Sequence, residues 1–217
     1  MKRSSILAHR GLFTTHEEKN SPLALRRALQ EGYGIETDLR DSNGQIVISH
    51  DPPLPDSHPV HFDSFLQEIA SYNTSSRIAL NIKSDGLSNL IERSVLRYTT
   101  NPSQFFVFDM SVPDSLGYSD SSIPVYSRIS EYESTATLPS FISGIWIDNF
   151  SGLFPQIEHA IKLIDKGLRV TIVSSELHRR DHTTLWDRID RTGIHLSPLF
   201  ELCTDFPEEA AKRFCIL

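Results

Sequence analysis

The chain has 217 residues with a formal net charge of −7; 39% of its residues are hydrophobic and 23% charged. That balance describes a soluble globular protein with a full core, and it speaks against binding nucleic acid through a basic surface. The two cysteines, Cys203 and Cys215, supply neither a disulfide framework nor a zinc-type spacing, and are read as ordinary reduced thiols. No stretch reaches the ~18 apolar residues that a membrane span needs. The start, MKRSSILAHRG, lacks an apolar run of signal-peptide length. The expected location is cytoplasmic.

In chain order, Ser4 to Ala8 is a short apolar run that ends at His9-Arg10-Gly11. A helix fits Pro22 to Glu31, with proline in the first turn and Gly32 as a stop. Ile35 to Leu39 alternates apolar and acidic residues, as a strand does. Ser42-Asn43-Gly44 then signals a turn, and Gln45 to Ser49 returns as a second strand of a small hairpin. Further strands are expected at Arg77 to Lys83, Phe105 to Phe108, Pro124 to Ile129, Gly144 to Ile147 and Arg169 to Val173, with a last one at Gly193 to Leu196. Helical patterns fit Leu87 to Tyr98, Pro155 to Lys166, Asp181 to Arg191 and Phe206 to Phe214, and Ser111 to Ser122 reads as the most loop-like stretch. About eight strand-helix units argue for a parallel sheet closed into a (β/α)₈ barrel. No glycine-rich dinucleotide loop follows the first strand, so an open nucleotide-binding sheet lacks support. The chain reads as one domain, 1–217, without boundary or repeat.

Polar residues fall where the strands end. Glu36 and Asp38 lie two apart and share one strand face, as do Asn81 and Lys83. His9 and Arg10 close the first strand, His50 and Asp51 close the hairpin, and Asp109, Asp148 and Glu176 each follow a later apolar run. Barrel enzymes work at the mouth where strand ends converge. Two carboxylates on a buried strand repel unless a cation or basic groups neutralise them; Mg²⁺ or Ca²⁺ takes such oxygens, and Asn81 can add a neutral one. Two histidines beside them suit the base and the acid of a phosphodiester cleavage, and Arg10 and Lys83 suit the phosphate.

Read together, AHRG at 8–11, Asn20 before the first helix, IETDLRDSNGQIVISHD at 35–51, LNIK at 80–83 and CTDFPEEA at 203–210 resemble the signature of the glycerophosphodiester phosphodiesterase family. The resemblance covers most of the chain and is weakest between Pro102 and Ser143. It implies a (β/α)₈ barrel that hydrolyses a small phosphodiester with a divalent metal, Mg²⁺ or Ca²⁺. It implies His9 and His50 as the acid/base pair, Glu36, Asp38 and Asn81 as metal ligands, and Arg10 and Lys83 at the phosphate. Asp148 and Glu176 are the next carboxylates to consider. The family usually has glutamate where this chain has Asn81, which removes one negative charge from the ligand set. The sequence is also similar, more distantly, to the phosphatidylinositol phospholipases and sphingomyelinase D enzymes, some of which release cyclic products. Two alternatives stay open: such a cyclising cleavage, and a degenerate barrel that binds a phosphorylated ligand without turnover.

Overall fold

A computed structural model describes residues 1–72, 74–134 and 139–215. Its strands are β1 (Ile6–His9), β2 (Gly34–Ser42), β3 (Gln45–Ile48), β4 (Val60–His61), β5 (Ile78–Ile82), β6 (Phe105–Phe108), β7 (Val125–Ile129), β8 (Ile142–Ile147), β9 (Arg169–Val173) and β10 (Phe200–Thr204). Around them lie α1 (Pro22–Gln30), α2 (Phe62–Tyr72), α3 (Ser88–Tyr98), α4 (Val112–Ser115), α5 (Gln156–Ile164), α6 (Thr183–Thr192) and α7 (Pro207–Phe214). All strands but β3 and β4 pair in parallel in the order β1-β10-β9-β8-β7-β6-β5-β2, and β1 pairs with β2 to close the ring. β3 and β4 extend β2 as an antiparallel hairpin outside it. The fold is therefore a (β/α)₈ barrel with a small hairpin after its second strand.

The period-2 alternation of the strands divides the apolar residues between two cores. One set, including Ile6, Ile35, Ile78, Val107, Ile145, Ile172 and Leu202, packs against the helices. The other fills the barrel: Leu7, Ala79, Phe106, Phe108, Tyr126, Trp146, Val173 and Cys203. Inside, Phe106 stacks on Tyr126 and Phe108 on Trp146, each with ring centroids 3.9 Å apart. Gly144 leaves room for the Tyr126 ring, which any Cβ at that position would strike. Such a packed interior is a core and not a pore. The first helix shows how local signals seat an element: the Ser21 side chain accepts from Ala24 N at 3.1 Å, Pro22 occupies the first turn, and Ala24, Leu25, Ala28 and Leu29 face inward.

Three sequence expectations need correction. Gly193 to Leu196 is not a strand: Gly193 ends α6 in the left-handed region and Ile194–Leu196 is a 3₁₀ turn. The last strand is Phe200–Thr204, whose buried Glu201 and Thr204 break the apolar signal. Ser111 to Ser122 is not a loop throughout, because the Ser111 side chain caps α4 and a 3₁₀ turn follows at Leu116–Tyr118. The helix α2 belongs to the ring although the initial reading assigns none there. Its Phe62, Phe65, Leu66 and Ile69 make an inward face at helical spacing. Among the described residues no helix is long and apolar enough to cross a membrane.

Candidate active site at the barrel mouth

The C-terminal ends of the strands gather most of the residues singled out from the sequence. Register places His9 beside Glu36 and Asp38 beside Asn81. Glu36 and Asp38 are 2% and 0% exposed, so both carboxylates lie out of bulk water. Asp38 Oδ2 is 2.8 Å from Arg10 Nε and accepts a hydrogen bond from Asn20 Nδ2 at 2.8 Å. Lys83 Nζ stands 3.5 Å from Asp38 Oδ1. Asn81 Nδ2 donates to Glu36 Oε1 at 3.2 Å, and His9 Nε2 is 3.9 Å from Glu36 Oε2. Burial pushes the Glu36 carboxyl above its ordinary range and Asp38 adds to the shift, against the pull of His9, Arg10 and Lys83.

The loop that carries His9 and Arg10 is shaped by backbone needs. Gly11 has φ +92, and a Cβ there would come within 2.6 Å of the Ala24 carbonyl carbon. Arg10 and Asn20 are themselves left-handed, at φ 59 and 61, joined by Asn20 N donating to Arg10 O at 2.9 Å. Asn20 accepts from Thr37 Oγ1 at 2.8 Å while donating to Asp38, so it clamps this loop onto β2. Asp109, directly after β6, is also left-handed at φ 73, and Arg179, at φ 58, ends the 3₁₀ turn Ser175–His178 that follows β9. Non-glycine residues held in this region cluster at functional sites.

His9 is oriented from behind. Its Nδ1 lies 2.6 Å from Asp205 Oδ1, and Lys19 Nζ donates to Asp205 Oδ2 at 2.9 Å. Burial alone would raise the Asp205 carboxyl, but the hydrogen bonds and charges of His9 and Lys19 outweigh it and hold it below its ordinary range. Asp205 is the aspartate of the CTDFPEEA segment; its service to His9 could be seen only once β10 was known to close against β1. Glu176 is bonded to the segment that carries Asp205. It accepts from Thr204 Oγ1 and from Asp205 N, at 2.5 and 3.1 Å, and so braces Asp205. Asp148 pairs with His178, Oδ1 to Nε2 at 2.5 Å, a partner that sequence reading left unmarked. His50 is at the rim. It is half exposed, its Nδ1 is 2.9 Å from Asp51, and it lines a surface recess with Arg10, Lys19 and Asn20.

Among the described residues no group of three or more His, Cys, Asp or Glu side chains is arranged to hold a metal ion. A cation at β2 and β5 would therefore depend on Asn81 as its third ligand. The donor set fits that role in one respect: Glu36 Oε2, Asp38 Oδ1 and Asn81 Oδ1 are all buried without a hydrogen-bond partner. Buried acceptors left unpaired are costly, and oxygens of this kind are what a hard cation takes.

No protein-family profile matches the chain, and no curated protein sequence matches it. Solved structures do. A protein assigned as a glycerophosphodiester phosphodiesterase from Galdieria sulphuraria superposes with a TM-score of 0.66 at 15% identity, over 94% of this chain and 94% of that one. The glycerophosphodiester phosphodiesterase from Agrobacterium tumefaciens superposes with a TM-score of 0.65 at 19% identity, over 96% of this chain and 99% of that one. In fold, over nearly its whole length, the chain resembles proteins named as glycerophosphodiester phosphodiesterases.

Proposed function

We propose that the protein hydrolyses a glycerophosphodiester or a similar small phosphodiester, with a divalent cation and two histidines. The observation that carries this reading is the trio of buried oxygens on Glu36, Asp38 and Asn81 at the barrel mouth, which accept no hydrogen bond although Lys83 Nζ stands 3.5 Å from Asp38 Oδ1 and His9 Nε2 3.9 Å from Glu36 Oε2. Those three residues would hold Mg²⁺ or Ca²⁺, which supplies positive charge to the phosphate as negative charge develops on it. Asn81 brings an oxygen without a charge, so the set is less acidic than one of three carboxylates.

The chain's own residues account for the rest. Arg10 and Lys83 are cations already at the mouth and suit the non-bridging phosphate oxygens, Arg10 through its fork of donors and Lys83 as a point charge. His9, its Nδ1 engaged by Asp205, keeps Nε2 for moving a proton. Asp205 fixes that ring orientation and favours the charged imidazole once a proton is taken. His50 is the second proton carrier in this reading. Its place on the rim recess with Arg10 leaves it open to solvent and to a leaving alcohol. Asp148 and Glu176 serve as supports, one for His178 and one for Asp205.

The test is a panel of phosphodiesters followed by phosphorus NMR. Release of a phosphomonoester without a cyclic intermediate is the expected product. A cyclic phosphate that accumulates would move the reaction to the cyclising class, and binding of glycerol 3-phosphate with no turnover of any diester would contradict catalysis.

A further inference from the structure

One side of the mouth is basic. Between the segment that follows β1 and the segment that joins β3 to β4 lies a recess of about 490 Å³, lined by Arg10, His16, Lys19, His50 and His58 and by the Ser21 cap of α1. Among the described residues no aspartate or glutamate lines it, in a chain whose formal net charge is −7. The neighbouring Asp51 is exposed and lies against His50 without lining the recess.

The donors of this recess are only partly engaged. Arg10 meets Asp38 through Nε at 2.8 Å, and among the described residues its two terminal nitrogens donate to no protein group. Lys19 Nζ gives one bond to Asp205 Oδ2 at 2.9 Å and keeps two further donors. His16 and His58 are exposed, and neither ring makes a hydrogen bond among the described residues. Ser21 caps α1 at Ala24 N, so the positive end of that helix also abuts the recess. Lys83, in contrast, stands between Asp38 and Asp109, at 3.5 and 3.4 Å, and does not line it. The cations of the mouth thus form two groups, with Arg10 common to both.

We infer that the recess binds a second negative charge on the substrate, a carboxylate or a phosphate carried by the leaving alcohol. The inference rests on the phosphodiesterase reading, in which the recess beside His50 receives that alcohol. One group of cations, Lys83 with Arg10, serves the scissile phosphate; the other has no negative charge of the protein within the recess to meet. An alcohol seated there places its own substituent among Lys19, His16 and His58. Anionic oxygens take several N–H donors at once, and such charge-assisted bonds are the strong ones. A quaternary ammonium would find no carboxylate there, and no phenylalanine, tyrosine or tryptophan face to lie on.

The test compares diesters of glycerol 3-phosphate that differ only in the leaving alcohol: 3-hydroxypropanoate, 2-phosphoethanol, propane-1,3-diol and choline. Release of glycerol 3-phosphate is followed by phosphorus NMR. The expected result is a kcat/KM for the anionic esters on the order of tenfold above that of the propanediol ester, the worth of a hydrogen bond to a charged group, with the choline ester lowest. That advantage should shrink as salt is raised, because the recess is open to solvent. The better of the two anionic esters names the group, carboxylate or phosphate. His16→Glu and His58→Glu should each reduce the advantage and leave the propanediol ester nearly unchanged. Because the comparison is a ratio within one preparation, partial unfolding of a variant does not alter it. Equal rates for the anionic and propanediol esters, a preference for the choline ester, or an advantage that both variants keep overturns the anion recess and leaves the phosphodiesterase reading standing. Turnover of none of the esters overturns both.

Discussion

Both ends of this barrel bury carboxylates against arginine, and they resolve the charge in different ways. At the N-terminal end Glu201, fully buried, receives Arg77 Nε at 2.8 Å and Thr171 Oγ1 at 2.8 Å, while Arg77 also donates to the Tyr126 hydroxyl at 3.1 Å. Arg77 lies over the Phe106 ring as well, 5.1 Å from its centroid. None of these groups keeps a buried atom without a partner. At the C-terminal end the same ingredients leave oxygens of Glu36, Asp38 and Asn81 without a hydrogen bond, and the backbone at Arg10, Asn20 and Asp109 is held left-handed. The first network is satisfied; the second is unsatisfied and strained. The contrast separates scaffold from site more sharply than charge or burial, which the two ends share.

The largest expected effects come from crossing the two ends. Glu36→Gln should lower turnover of a good diester substrate by about 10³-fold or more, the worth of several kcal/mol of phosphate charge stabilisation. Its thermal midpoint should hold or rise, because a buried carboxyl next to Asp38 has been made neutral. Glu201→Ala should do the reverse: a loss of about 3–5 kcal/mol of stability, from stranding Arg77, with the rate per folded molecule preserved. Thermal denaturation beside steady-state rates checks both, and a matched loss in both variants would dissolve the distinction between the ends.

Next in size are the histidines. His9→Ala and His50→Ala should each cost on the order of 10²–10⁴ in rate. The double variant should cost less than the product, since groups acting together are not additive. A nitrophenyl leaving group should rescue only the variant that lacks the acid. Near-normal rates for His50→Ala would shift the second proton transfer elsewhere in the mouth, and the Asp148–His178 pair is an oriented candidate.

The smallest effect concerns Asp205. Its folded carboxyl lies below its ordinary value, so its stabilising contribution is present above the unfolded pKa and is lost as pH falls through the folded one. Wild type should therefore lose more stability than Asp205→Asn on acidification below the ordinary carboxylate range. Denaturant curves at pH 7 and pH 3 would show it, and parallel losses in the two proteins would mean that Asp205 contributes no such linkage.

Much of the fold could be read from alternation. Phe105–Phe108 and Arg169–Val173 fall where their apolar runs predict, because a strand of a parallel barrel is covered on both faces. The misread last strand shows the limit: Phe200–Thr204 carries Glu201 into the barrel, and only Arg77 and Thr171, distant in sequence, make that burial tolerable. In the site, Glu36 with Asp38 and Asn81 with Lys83 could be placed from period 2 alone. Asp205 behind His9, Arg128 on Asp109, and His178 on Asp148 could not, since each pairing spans loops whose course only the closed ring fixes.

If the mouth takes a divalent cation on Glu36, Asp38 and Asn81 and cleaves a phosphodiester with it, activity must follow the metal. Hydrolysis of glycerol 4-nitrophenyl phosphate should be followed after stripping with EDTA and after return of Mg²⁺ or Ca²⁺, in wild type and in Glu36→Gln. Stripped wild type is expected to be inactive and to be restored by one of the two ions, with little recovery in Glu36→Gln. Full activity in the stripped protein, or equal restoration in the variant, would contradict it.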